Sequence, residues 1–201
     1  MGNREDLLAG AKRCLVEKGY ARTTARDIAT AAGTSLAAIG YHFKTTEALL
    51  NAALFQALEE WGDELGRTLA EGVDPKATRA ERFAAIWGRV IESIVAQPGL
   101  WTAQFELVTL TQQVPELREF ASAAQQHGRA ELARLFHAAD PDTDGESARL
   151  AGVLYQILLA GVAVQWLIAP AQAPSGDDLA KALVLVADSL KPTGPRPTHS
   201  A

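Results

Sequence analysis

GTSLAAIGYHF, residues Gly33 to Phe43, contains no Asp, Glu, Lys or Arg, although charged helical segments lie on both sides of it. The stretch before it, TTARDIATAA (Thr23–Ala32), carries Asp27 three residues after Thr24. In that variant of the capping box each side chain serves an orphan amide of the other's turn, so a helix starts near residue 25. Gly33 ends this helix, and Ser35 can cap the next, over about 36–42. Two short helices joined by a Gly33-Thr34 turn form a helix-turn-helix unit. Such a unit lays its second helix in the DNA major groove while the first crosses the backbone. Ile28, Ala29, Ala32, Ile39 and Phe43 supply the small core that fixes the angle between the two helices. Ser35, Leu36, Ala37, Gly40 and Tyr41 are left facing outward, where small apolar groups suit the thymine methyls of a groove. Thr24, Tyr41, His42, Lys44 and the amides at the helix starts are the candidate phosphate contacts.

Outside this unit the apolar residues recur at three and four rather than two, which predicts an all-α chain of about nine helices. Leu7, Leu8, Ala11 and Leu15 mark a first helix near 4–18, with Gly19 at the position of a left-handed cap. Thr45 caps a long fourth helix on which Leu49, Ala53, Leu58, Trp61 and Leu65 recur at helical spacing. Breaks at GVDPKA, QPG, VP, DPDTDG and PAQAPSGDD delimit five more helices, near 78–96, 98–113, 116–139, 146–168 and 177–190. Residues 192–201 read as a disordered tail.

The eighth helix contains LAGVLYQILLAGVAVQWLIA (150–169), which has no charged residue and is long enough to span a bilayer. Tyr155, the glycines, Gln156 and Gln165 dilute it, and no Lys or Arg anchors the segment that follows. A helix apolar on all sides also arises when one face packs into its own subunit and the other into a second copy. We therefore expect no membrane partner. The expected assembly is a two-fold homodimer through helices 8 and 9, with Leu158 at the contact and Leu179, Leu183, Val186 and Leu190 on helix 9.

The net charge of −5 hides an asymmetry. Residues 1–48 carry seven Lys or Arg against five Asp or Glu, whereas the remainder carries 12 against 19. A mildly basic head on an acidic body gives the molecule an orientation toward phosphates. The first helix is interrupted by charges and shows no signal-peptide pattern, so a cytoplasmic protein is expected. The single Cys14 cannot form an internal disulfide and lies on or beside an apolar helical face.

The run TTARDIATAAGTSLAAIGYHFKTTEALLNAAL resembles the DNA-binding segment of the TetR family of bacterial transcriptional regulators, over roughly residues 4–55. Thr23-Thr24, Ile28-Ala29, Ala32-Gly33 with Ser35, Tyr41-His42-Phe43 and Glu47-Ala48-Leu49-Leu50 carry the likeness. The resemblance implies DNA contacts at Thr24, Thr34, Ser35, Leu36, Ala37, Tyr41, His42 and Lys44. It also implies a DNA-binding domain over 1–48 and a ligand-binding and dimerisation domain over 49–191. Many relatives have a Lys or Arg after the Ser, an aromatic at Gly40 and a Lys at Thr46, so this chain offers fewer donors to guanine and a modest salt dependence is expected. QPGLWTAQFELVTLTQQVPELREF and GVAVQWLIAP look most like the subset related to betaine-type regulators, a likeness that transfers no ligand.

Trp61, Phe83, Trp87, Trp101, Phe105 and Tyr155 are candidates to line an effector cavity between helices 4 and 8, with Glu106, Thr109 and Gln156 as orienting polar groups. The plainer reading, that most of them are ordinary core, stays open. His42, His127, His137 and His199 are scattered without metal-ligand spacing, and neither a glycine-rich phosphate loop nor a G-x-S-x-G elbow is present. No enzyme, metal or cofactor is expected. The reading is a repressor released from a palindromic operator by a small apolar or aromatic effector. Its rival is a helical small-molecule carrier or adaptor without DNA contact.

Overall fold

The computed structural model describes residues 3–70, 76–112, 115–137 and 145–191. Among the described residues there are nine α-helices, one short 3-10 turn and no strand. They are α1 (Asn3–Lys18), α2 (Ala25–Ala32), α3 (Leu36–Phe43), α4 (Thr46–Ala70), α5 (Arg79–Ala96), α6 (Pro98–Leu110), α7 (Pro115–His137), α8 (Gly145–Ile168) and α9 (Gly176–Ser189). The tail expected at 192–201 lies outside the described residues.

Local chemistry sets these boundaries. Thr24 accepts the Asp27 N–H while Asp27 accepts the Thr24 N–H, and α2 ends on Gly33 in the left-handed region at φ 63°, which favours a residue without Cβ. The same reciprocal cap recurs at Thr78 and Glu81 before α5 and at Ser175 and Asp178 before α9. α6 opens on Pro98, whose missing N–H costs a first turn nothing.

α1 is the hub, packed against α2, α4 and α6, while α9 lies on α5 and α7 on α8. The core does not break near residue 48. Leu7, Ile28, Phe43, Leu49 and Leu54 belong to the same buried cluster as Trp61, Trp87, Trp101 and Val162. A rigid α4 of 25 residues, about 37 Å long, therefore carries the helix-turn-helix unit at one end and Trp61 further along.

α8 divides its faces sharply. Ala148, Gly152, Leu159, Val162 and Ala163 are buried, while Leu150, Leu154, Ile157, Val164 and Ile168 are exposed. Those exposed positions follow a spacing of three, four and seven, with exposed Gly161 on the same stripe, which is the spacing of a helix-packing seam. Leu158, expected at the contact between copies, is half-buried against the core, and its neighbour Ile157 is 62% exposed. A hundred-degree step per residue separates the two, and periodicity cannot choose a face on a helix apolar all round. On α9, Leu185 and Leu190 are exposed, while Leu179 and Leu183 are half-buried toward the protein.

Candidate nucleic-acid interface and buried aromatic groups

α3 is amphipathic in an unusual sense. Ala38, Ile39 and Phe43 are buried, which fixes its seat against the rest of the head. Ser35, Leu36, Ala37, Gly40, Tyr41 and Lys44 lie on the exposed side, Thr34 and His42 are half-buried, and Tyr41 is 84% exposed. The Tyr41 ring meets the His42 ring edge-on at 4.8 Å, which holds both at the C-terminal end of α3. Ser35 makes no side-chain capping bond, so α3 presents an uncommitted hydroxyl beside the amides of its first turn. Thr24 differs: its hydroxyl donates to Asp27 Oδ2 at 2.7 Å, and what α2 offers a phosphate is chiefly main-chain N–H.

Lys44 is the one non-glycine among the described residues with positive φ, at φ 68° and ψ −51°. The Thr45 N–H donates to the Phe43 carbonyl at 2.8 Å across it, which makes Lys44 the centre of a strained γ-turn. Conformations of this kind cost about 1–3 kcal/mol and persist where the surroundings demand them. Here they place a cation at the rim of α3. Arg4 adds a second cation that sequence spacing gave no signal for: its guanidinium lies 5.2 Å from the centre of the Phe43 ring.

Three polar contacts tie α1 and the turn after it to α4 and α6. The Tyr20 hydroxyl donates to Asn51 Oδ1 on α4 at 2.6 Å in a buried setting. Burial, with the Glu47 charge adding, pushes the Tyr20 phenol up to about 12, so it stays a neutral donor at physiological pH. Lys12 donates to both oxygens of Glu60 on α4, at 2.7 and 2.9 Å. Glu106 on α6 accepts the Ala21 N–H at 3.0 Å and lies against Gly19. At the other end of α6, Gly99 sits so close to the Val16 backbone that a Cβ there would collide. Within the head, the Lys18 ammonium donates to Asp27 at 2.6 Å and, together with the Thr24 hydroxyl and N–H, holds the Asp27 carboxyl well below the usual carboxylate range.

The aromatic candidates separate into two groups. Trp61 on α4 and Trp101 on α6 meet edge-on at 5.1 Å, with Phe105 at 6.5 Å from Trp101. Trp87 on α5 stacks on Phe136 of α7 at 5.6 Å, with Phe83 tilted at 5.9 Å from Trp87 and Tyr155 of α8 at 5.0 Å from Phe136. Of the polar candidates, Glu106 is engaged at the Ala21 amide, and Gln156 accepts from Arg129 Nε at 2.7 Å, joining α8 to α7. Thr109 is exposed, its hydroxyl donating to the Glu106 carbonyl. Two surface grooves, about 430 Å³ along α7 at Arg118 and Gln126 and about 530 Å³ between α5 and α9 at Ala84 and Leu185, contain none of these nine residues. The indole N–H groups of Trp61, Trp87 and Trp101 are buried without a hydrogen-bond partner, whereas that of Trp166 donates to the Pro174 carbonyl at 3.3 Å. Among the described residues no group of three or more His, Cys, Asp or Glu is arranged to hold a metal.

Comparison with known proteins agrees with this geometry. The family model for bacterial regulatory proteins of the tetR family matches residues 7–53, and that for the tetracyclin repressor-like C-terminal domain matches residues 78–189. The HTH-type transcriptional repressor KstR2 of Rhodococcus jostii (strain RHA1) is 34% identical over 77 residues, a match that spans 38% of this chain and 38% of that protein. A transcriptional regulator from Rhodococcus sp. Rha1 has the same fold with a TM-score of 0.61 at 20% identity, over 92% of this chain and 97% of that one. A protein from Saccharomonospora viridis, solved in complex with choline, aligns with a TM-score of 0.58 at 23% identity, over 93% and 96%. With both family models matched and the helix-turn-helix geometry in place, the chain belongs to the TetR family of transcriptional regulators and is not an enzyme.

Proposed function

We propose that this regulator is a repressor that binds a palindromic operator as a homodimer in the cytoplasm and is released by a small apolar or aromatic effector. The observation that carries the DNA reading is the division of α3 into a buried Ile39 and Phe43 side and an exposed Ser35, Leu36, Ala37, Gly40 and Tyr41 side rimmed by Lys44. A carrier without DNA contact has no use for a γ-turn that holds a cation at the end of that helix. The repressor assignment draws on the similarity to KstR2, which is a repressor.

The dimer reading rests on the exposed aliphatic stripe of α8. Burying one such side chain stabilises by about 1.5–3 kcal/mol, and the spacing matches a second helix. The effector reading rests on α6, whose Trp101 and Phe105 belong to the aromatic interior while the next residue, Glu106, grips the α1–α2 turn. A guest that shifts α6 or α4 biases the head, and a coupling of about 1–3 kcal/mol lowers operator affinity roughly 5–150-fold.

Linkage is reciprocal, so operator DNA must weaken the effector by the same factor. The test is to titrate a bound compound by tryptophan fluorescence with and without the DNA that flanks the coding region. Weaker binding in the presence of that DNA supports the reading. Equal affinity, together with no shift of that DNA in a gel, moves the protein to the carrier class.

A further inference from the structure

Three tryptophans from three helices, Trp61 on α4, Trp87 on α5 and Trp101 on α6, are at least nine-tenths buried, and each keeps its indole N–H without an acceptor. A buried donor left unpaired costs about 1–3 kcal/mol, and large aromatic residues that carry a donor ordinarily find a partner when buried. Phenylalanine would fill comparable apolar space at no such cost. Trp166, half-buried on α8, obeys the ordinary rule through Pro174.

Other aromatic rings engage these indoles. Phe136 covers one face of Trp87 at an interplanar angle of 8°, and Trp61 and Trp101 meet edge-to-face at 88°. What has no partner in all three is the electropositive N–H edge, which attracts an acceptor rather than a cation. No charged side chain is buried among the described residues, the buried polar ones being Thr23, Asn51 and Thr111. Glu106, the acid nearest to Trp101 and Phe105 in sequence, is turned to the Ala21 amide. An organic cation would meet no buried carboxylate here, and an anion no buried cation.

We propose that the effector is an uncharged aromatic or alicyclic molecule whose carbonyl or ether oxygen accepts a hydrogen bond from the indole N–H of Trp101 or Trp61. The proposal rests on the effector reading above and specifies its chemistry. It sets this chain apart from its fold neighbour from Saccharomonospora viridis, which holds the cation choline.

Three probes of similar shape separate the possibilities: acetophenone, which has an acceptor; ethylbenzene, which has none; and phenyltrimethylammonium, which is a cation. Binding is followed on the full chain through the indole ¹H–¹⁵N resonances of its four tryptophans, with Trp166 as the internal reference. Acetophenone should bind about tenfold more tightly than ethylbenzene, the ratio one newly satisfied buried donor supplies. It should also move the Trp101 or Trp61 indole proton downfield and leave Trp166 in place. Trp101→Phe and Trp61→Phe, which keep a ring and remove the donor, should together abolish the advantage of acetophenone over ethylbenzene. Equal affinity for acetophenone and ethylbenzene, or preference for phenyltrimethylammonium, would overturn the acceptor assignment while leaving an effector site intact. If none of the three binds, the effector reading itself fails.

Discussion

α3 and α8 both expose apolar side chains, but what surrounds those side chains differs. On α3 they are one leucine, two small residues and a polar-tipped ring, Leu36, Ala37, Gly40 and Tyr41, and are bordered by Ser35, His42 and Lys44. On α8 they are long aliphatics, Leu150, Leu154, Ile157, Val164 and Ile168, with no charged residue from Leu150 onward. The first surface tolerates water and can still approach a polyanion. The second loses free energy with every exposed side chain until a like surface covers it. On the function proposed above, the same apolarity in sequence means readiness for a groove in one place and readiness for another copy in the other. Within the head, Thr24 and Lys18 both engage Asp27, and Tyr20 reaches out to Asn51 on α4. The body leaves three indole donors and an aliphatic stripe unanswered.

The largest expected effect falls on the stripe. Ile157→Asp should convert a dimer at micromolar concentration to monomer and remove specific operator binding, whereas substitutions of the inward-facing Leu158 should destabilise the fold itself. Sedimentation velocity together with thermal melting separates the two, and a stable wild-type monomer at micromolar concentration would break the comparison outright.

On α3 the expected losses are smaller and of two kinds. Lys44→Ala should weaken binding to all DNA sequences about equally and lower the salt slope by about one, as loss of one phosphate contact does. Leu36→Ala or Ala37→Ser should change which sequences are selected. A selected-sequence profile that follows Lys44 and ignores Leu36 would reverse the assignment of roles.

Between the two regions, Glu106→Ala should keep effector binding in the absence of DNA and shrink the effector's influence on operator affinity, because α6 then lets go of the Ala21 amide. An undiminished linkage would assign the transmission to α4 alone, by way of Tyr20–Asn51 and Lys12–Glu60. The Tyr20 contact has its own signature. Its phenol titrates higher folded, at about 12, than the ordinary value of 10.0, so its contribution to stability is fully present below pH 10 and is lost as pH rises toward 12. Tyr20→Phe should remove that part of the alkaline decline and cost about 1–2 kcal/mol by leaving Asn51 short of a donor, measured by urea unfolding. The smallest effect belongs to Lys44→Gly, which relieves the positive φ and should stabilise the fold by about 1 kcal/mol even as DNA binding weakens. Unchanged or lower stability would mean that the turn stores no strain.

The head was almost fully legible because its signals are local. Thr24 with Asp27, Gly33 and the spacing of Ile28, Ile39 and Phe43 each act within a few residues, and the bounds of α2 and the seat of α3 follow from them, although Ser35 stands at the start of α3 without the side-chain capping bond expected of it. The body was legible as helices but not as a site. Which face of α8 looks outward depends on where α7 and α5 land, and an apolar-all-round sequence does not encode that, so the greater exposure of Ile157 than of Leu158 was not legible. Glu106 read as a pocket group because it follows Trp101 and Phe105, yet its partner is the Ala21 amide 85 residues away, beyond any periodicity argument. Arg4 over Phe43 escaped for the same reason.

The most direct test of the central claim, a finished DNA-reading head on a body completed by a second copy, is selection of the duplexes that the purified full chain binds from a random pool. The account expects an inverted repeat whose half-sites are related by two-fold symmetry and spaced by about one helical turn or a multiple of it. An enriched sequence with a single asymmetric half-site, or no enrichment over the starting pool, would contradict it.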